Sequence, residues 1–233
     1  MTRADEIAQG LKRVLQRIEE AKQKAGRSDE VRLLPVTKFH PAEDIAILHS
    51  LGVTEVGENR DQEAKQKAAE FPSMSFHMLG QIQTKKANSV ARWAQAVQSL
   101  DSVTLAQALD RGMQLALDRG DRTTDTLDVF VQLSLDGDPA RGGVVDGDLP
   151  ELVDAIAGTE HLRLTGLMCV PPVEADPYEA FATARQVKEQ LEKTVGKLLE
   201  FSAGMSHDLE VAVESGSTLV RVGTDILGPR QIP

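Results

Sequence analysis

The chain has 233 residues, 41% of them hydrophobic and 27% charged, enough to bury a full core and too ordinary in composition for wholesale disorder. A net charge of -10 argues against nucleic acid or an anionic membrane as the main partner, and 3% aromatic residues leave few platforms for stacking bases. No stretch approaches the roughly 18 apolar residues of a membrane helix, the N-terminus lacks the apolar core of a signal peptide, and the single cysteine, Cys169, excludes an intramolecular disulfide framework or a multi-cysteine zinc site. A cytoplasmic location is expected.

The elements alternate. Residues 2–25 read as an amphipathic helix opened by a Thr2/Asp5 capping box, striped by Ile7, Leu11, Val14, Leu15 and Ile18, and ended by Gly26. An apolar run at 31–36 is a strand, and Pro41 starts a helix that stops at Gly52. The beat then repeats: strand 53–56, helix 58–70, strand 75–79, helix 84–95, strand 96–100, and a helix capped by Ser102. Strand 127–135, helix 149–157, strand 162–170 and a long helix from Asp176 to about residue 199 follow. Strand 200–203, helix 206–215 and strand 219–222 close the series. Eight βα units in this length predict a single-domain parallel (β/α)8 barrel of the TIM type, with the first helix packed outside it. The Gly- and Asp-rich loop 136–143, with no apolar residue larger than alanine, is expected to be mobile.

The lysines are unevenly placed. Ten of the eleven lie in polar, helix-like stretches, and Lys38 alone ends an apolar strand. Such barrels carry their active sites at the C-terminal ends of the strands, where partial desolvation frees an amine for Schiff-base chemistry; the plainer reading is a lysine that snorkels to solvent. Arg221 sits in the apolar run 219–222, and alternation turns it away from Val220 and Val222, into the barrel. There it needs a partner, because an unpaired buried charge is costly. Gly223 and Thr224 follow at the strand end, where barrels often bind phosphate. Ser206, in Gly204-Met205-Ser206-His207-Asp208, is expected to cap the next helix, whose N-terminus would also favour a phosphate. Asn59 and His77 follow or end the second and third strands, at the expected mouth, although a buried core role for His77 is the commoner one. Together these features suit an aldehyde cofactor with a phosphate tail, such as pyridoxal 5′-phosphate (PLP).

In the order and spacing of these segments the chain resembles the pyridoxal-phosphate homeostasis proteins, whose barrel is similar to the N-terminal domain of alanine racemase. The landmarks are Val36-Thr37-Lys38, Val56-Gly57-Glu58-Asn59, His77-Met78-Leu79-Gly80-Gln81, Leu100-Asp101-Ser102, Gly166-Leu167-Met168, Gly204-Met205-Ser206-His207-Asp208 and the run from Gly216 to Thr224. The resemblance implies that Lys38 forms the internal aldimine, that Arg221 faces the pyridine nitrogen, and that Ser206, Gly223 and Thr224 make the phosphate cup with Met205 beside it. It places Asn59 and His77 on the cofactor's open side. Three positions depart from the family pattern: Thr37 replaces a serine, Lys85 an asparagine, and Pro35 interrupts the first strand.

An arginine cannot accept a proton, so a ring nitrogen facing it stays unprotonated and the cofactor is a weak electron sink. Racemases of this type add a C-terminal β-domain and a catalytic tyrosine. Here about ten residues follow the last strand, and the sole tyrosine, Tyr178, opens a helix. The expected function is therefore a PLP carrier or regulator in vitamin B6 and amino-acid homeostasis, without established catalysis. Its expected partners are PLP and recipient PLP-dependent apo-enzymes, and the chain is expected to be a monomer. The alternatives are a single-domain racemase using His77 or Cys169 as second base, and a cofactor-free Schiff-base aldolase.

Overall fold

The computed structural model describes residues 1–229. Eight parallel strands run in the order β1-β8-β7-β6-β5-β4-β3-β2. They are β1 (Arg32–Pro35), β2 (Glu55–Glu58), β3 (Ser75–Met78), β4 (Ala96–Leu100), β5 (Leu127–Leu133), β6 (Leu162–Cys169), β7 (Glu200–Ser202) and β8 (Leu219–Val222). β1 and β2 meet through one parallel bridge, Val36 with Gly57, which brings the sheet round to a nearly closed barrel. Pro35 explains why that seam is short. Arg32 and Val36 donate their N–H groups to Thr218 and Val222 beside β8. Alternation therefore turns residue 35 toward β2, where proline has no N–H to give.

The connecting helices are α2 (Ala42–Ser50), α3 (Asp61–Glu70), α4 (Ala87–Trp93), α5 (Val103–Asp118), α6 (Leu149–Ala157), α7 (Pro177–Val195) and α8 (Leu209–Glu214), followed by a last turn, α9 (Thr224–Leu227). In front of them stands α1 (Arg3–Lys24), with the Thr2/Asp5 capping box formed. It packs against α8, α9 and α2 outside the barrel. Gly10 makes that approach possible, because a Cβ there would lie 2.6 Å from the Ile226 carbonyl oxygen. Arg17 of α1 then ties Glu210, Asp225 and the Ser206 carbonyl together.

Several boundaries differ from the sequence reading. β2 runs on to Glu58, so the following helix begins at Asp61, because Glu58 is held inside the fold. The helix expected over 84–95 splits into a 3-10 turn at Thr84–Lys86 and α4. The long helix ends at Val195, where Gly196 takes a left-handed conformation (φ 69°) that stops it. α8 starts at Leu209 with Asp208 as its N-cap, so Ser206 does not cap it; the intervening turn is closed by Asp208, whose Oδ1 accepts the Met205 N–H at 2.6 Å. The 136–143 loop is tethered by polar contacts rather than apolar ones: Arg141 donates to the Val170 and Pro171 carbonyls at 2.7 and 2.8 Å.

The main apolar core lies between the outward faces of the strands and the helices. A smaller cluster, Leu34, Ala96, Phe130, Met168 and Leu219, fills the barrel interior. No described helix is long and apolar enough to cross a membrane.

Candidate cofactor site

At the C-terminal ends of β1, β2, β7 and β8 lies a cavity of about 380 Å3, within the range of small-molecule sites. Seven of the eight residues singled out from the sequence line it: Lys38, Asn59, Met205, Ser206, Arg221, Gly223 and Thr224. They come from four separate strand ends, and only barrel closure makes them neighbours. A second, larger cavity of about 590 Å3 adjoins it, sharing Asn59, Leu79, Met168 and Met205 and widening toward the 136–143 loop.

His77 is the exception, and its expected place on the open side is corrected here. It is the third residue of β3 and faces the barrel interior nearer the opposite, N-terminal face, where it lines a different cavity with Arg32, Glu55 and Asp128. Its Nδ1 lies 3.0 Å from Gln98 Nε2 and its Nε2 3.2 Å from Glu55 Oε2.

Lys38 is half-buried in the turn after β1. The next residue, Phe39, has φ 63°, a left-handed conformation that costs a non-glycine residue roughly 1–3 kcal/mol. The surroundings hold it there. Glu63 accepts the Phe39 N–H at 2.7 Å, and the Arg60 guanidinium lies 4.4 Å above the Phe39 ring. Beneath the turn, the Lys67 ammonium donates to the Thr37 carbonyl (2.8 Å), to Glu58 Oε1 (2.7 Å) and to Glu63 Oε1 (2.6 Å). The Thr37 hydroxyl donates to the same Glu58 oxygen at 2.6 Å, so the serine-to-threonine exchange retains the hydroxyl that this network uses. Burial pushes the Glu58 carboxyl above its ordinary value, while Lys67 pulls it back. Sequence reasoning missed Lys67, which sits on a polar helix; its one signal was the i, i+4 spacing from Glu63.

Arg221 faces inward, as its alternation with Val220 and Val222 requires, and is 4% exposed. It donates to Ser202 Oγ at 2.6 Å and to the Cys169 carbonyl at 2.9 Å. Among the described residues no carboxylate forms a salt bridge with it, and burial pulls its pKa below the ordinary arginine value. A buried guanidinium held only by neutral acceptors retains N–H groups for a ligand. On the facing loop, among the described residues, the N–H groups of Ser206 and His207 have no protein acceptor. Gly80 lets the ends of β2 and β3 close over the site, since a Cβ there would lie 2.1 Å from the Asn59 carbonyl oxygen.

The candidate second bases fare differently. Cys169 is wholly buried and desolvation pushes its thiol up to about 12. Tyr178 is 53% exposed on the first turn of α7. Lys85 lies in the exposed 3-10 turn and lines neither cavity.

The family profile described as "Alanine racemase, N-terminal domain" matches residues 10–231. The pyridoxal phosphate homeostasis protein of Corynebacterium glutamicum is 62% identical over 202 residues, covering 87% of this chain and 91% of that one. Its namesake from Mycobacterium tuberculosis is 44% identical, covering 99% and 95%. Among solved structures, PipY of Synechococcus elongatus with PLP bound superposes with a TM-score of 0.77 at 31% identity, covering 92% of this chain and all of that one. Alanine racemase from Clostridium difficile shares the fold alone, with a TM-score of 0.72 at 14% identity over 59% of its length. Barrel, cavity and relatives agree: the chain belongs to the alanine racemase N-terminal-domain family, and within it to the pyridoxal phosphate homeostasis proteins.

Proposed function

We propose that this chain binds pyridoxal 5′-phosphate in the 380 Å3 cavity and serves as a carrier and regulator of PLP in vitamin B6 and amino-acid homeostasis. One observation carries the reading: a half-buried lysine at a strand end and a buried arginine without a carboxylate partner line the same cavity, beside a loop with unused N–H donors. The PLP-bound PipY structure supports it. When bound, PLP supplies an aldehyde for a lysine amine, a phosphate tail and a pyridine ring. Lys38 is the amine within the cavity. Ser206, Gly223 and Thr224 bind the phosphate, with Met205 and Asn59 against the remaining surface. Arg221 donates toward the ring nitrogen and, being unable to accept a proton from it, leaves that nitrogen an unprotonated acceptor.

That arrangement favours holding the cofactor over using it. A racemase needs a second acid or base facing the lysine, and neither Cys169, Tyr178 nor His77 is placed for that role. The carrier acts as a monomer in the cytoplasm and hands PLP to PLP-dependent apo-enzymes. Isotope exchange at the α-carbon of alanine or serine tests the reading: exchange on the order of 1 s⁻¹ or faster would overturn it in favour of a racemase.

The phosphate loop gives a second test. Ser206→Ala should weaken PLP by about 1–3 kcal/mol, the cost of one hydrogen bond to a charged group. Because Asp208 and not Ser206 stands at the N-cap of α8, thermal stability of the apo form should be unchanged. Equal PLP affinity in mutant and parent would remove Ser206 from the site.

A further inference from the structure

His77 lies away from the cavity, yet a continuous column of side chains joins it to Arg221. Arg221 Nη1 donates to Ser202 Oγ at 2.6 Å, and Ser202 Oγ donates to Gln98 Oε1 at 2.6 Å. The Gln98 amide nitrogen meets His77 Nδ1 at 3.0 Å, and His77 Nε2 lies 3.2 Å from Glu55 Oε2. Arg32 holds that Glu55 oxygen at 3.1 Å. Five strands, β8, β7, β4, β3 and β2, each contribute one inward residue, and the column descends from the cofactor cavity to the cavity at the barrel's other face. Ser202 and Gln98 are fully buried, and Arg221 and His77 are 4% and 5% exposed.

The orientation of the Gln98 amide, Oε1 toward Ser202 and Nε2 toward His77, sets the polarity between the two ends. A guanidinium only donates and a carboxylate only accepts. Ser202 accepts from Arg221 and so spends its own proton on Gln98 Oε1. Gln98 then turns its amide group to His77 Nδ1, which must accept. His77 carries its proton on Nε2 and donates it to Glu55. Every hydrogen bond points the same way, from the buried cation to the carboxylate, and such aligned chains strengthen one another in a low-dielectric interior. Among the described residues no carboxylate lies within salt-bridge distance of Arg221, Asp208 acting on it only from farther off, and this column is its hydrogen-bonded route to a counter-charge.

We infer that Ser202, Gln98 and His77 are positioning residues that lock the Arg221 guanidinium beneath the cofactor cavity, through the one-way hydrogen-bond column ending at Glu55. The column is a property of the protein without ligand. Its consequence for the cofactor rests on the PLP reading proposed above.

The experiment has an apo arm and a loaded arm. In apo protein, nitrogen-15 NMR of the histidine rings should show His77 protonated on Nε2 and bare on Nδ1. A reversed tautomer, or a doubly protonated ring at neutral pH, overturns the column. The Arg221 Nη–H groups, through which Ser202 holds the guanidinium, should exchange slowly in the parent and about tenfold faster in Ser202→Ala and in His77→Leu, the equivalent of one lost hydrogen bond to a charged group. His77→Gln, which again offers one acceptor and one donor, should return exchange to within about twofold of the parent. In the loaded arm, the first two variants should shift the visible absorption band and weaken PLP about tenfold, and His77→Gln should restore both. A folded His77→Leu with parental exchange, band and affinity overturns the inference; should that variant not fold, Ser202→Ala decides by the same readings. A parent that takes up no PLP overturns the carrier reading instead, and the apo arm alone then decides the column.

Discussion

Lys38→Ala is expected to abolish the visible absorption band that the parent develops with PLP. The fold should survive, because the backbone of the turn is held from beneath by Lys67 through the Thr37 carbonyl and by Glu63 through the Phe39 N–H. The phosphate contacts proposed for Ser206 and Thr224 do not involve the amine, so weakened non-covalent binding should persist and be measurable by calorimetry. Borohydride reduction of the loaded parent followed by peptide mapping should place the label on the peptide carrying Lys38. Label found mainly on Lys85 or Lys86, which lie outside the cavity, would sink the assignment.

A comparably large effect, on stability, is expected at Lys67. Glu58 is fully buried, with one oxygen already lacking a partner, and Lys67 is the cation that compensates it. Lys67→Met leaves that carboxylate uncompensated, and breaking a buried pair from one side costs about 3–5 kcal/mol. The pH dependence has a definite sign. Burial raises the Glu58 carboxyl in the folded state, so its contribution to stability is present below the unfolded carboxylate value and is lost as pH rises through the folded one. Without Lys67 the folded value moves further up. The deficit of the variant should therefore be smallest in mildly acid buffer and grow toward neutral pH, as read by urea unfolding across that range. Lys67→Met combined with Glu58→Gln should recover most of the loss at pH 7. A deficit that does not change with pH would show that Glu58 is not the group left behind. Since the same ammonium holds the Thr37 carbonyl, the single variant should also bind PLP more weakly.

The contrast between these two lysines shows what kinds of position a sequence discloses. Lys38 stood out because it ends an apolar strand, a local signal that needs no partner to be read. Lys67 lies among charged residues on α3, and from pattern alone it belongs to a solvated face. It is buried because the turn after β1 packs against α3, a contact between segments some thirty residues apart. Similarly, Ser206 was legible as a polar residue at a strand end, but the residue that begins α8 was set by the turn closed between Asp208 and Met205.

By itself, the sequence determined the order of the βα units, the extra helix in front with its capping box, the strand-end place of Lys38 and the inward turn of Arg221. All of these follow from periodicity within one element and from short-range chemistry at its ends. The height at which an inward residue sits in the barrel follows from no such rule. Strands buried on both faces read as apolar runs that hide which face a polar residue takes, and the stagger between neighbouring strands is set by closure of the whole sheet. Only the tertiary structure could lift Arg221 to the strand-end cavity and leave His77 below it, two inward side chains separated in the barrel by Ser202 and Gln98. The same closure gathers Lys38, Asn59, Ser206 and Thr224 around one cavity, because the ends of β1, β2, β7 and β8 become neighbours only when the first strand meets the last.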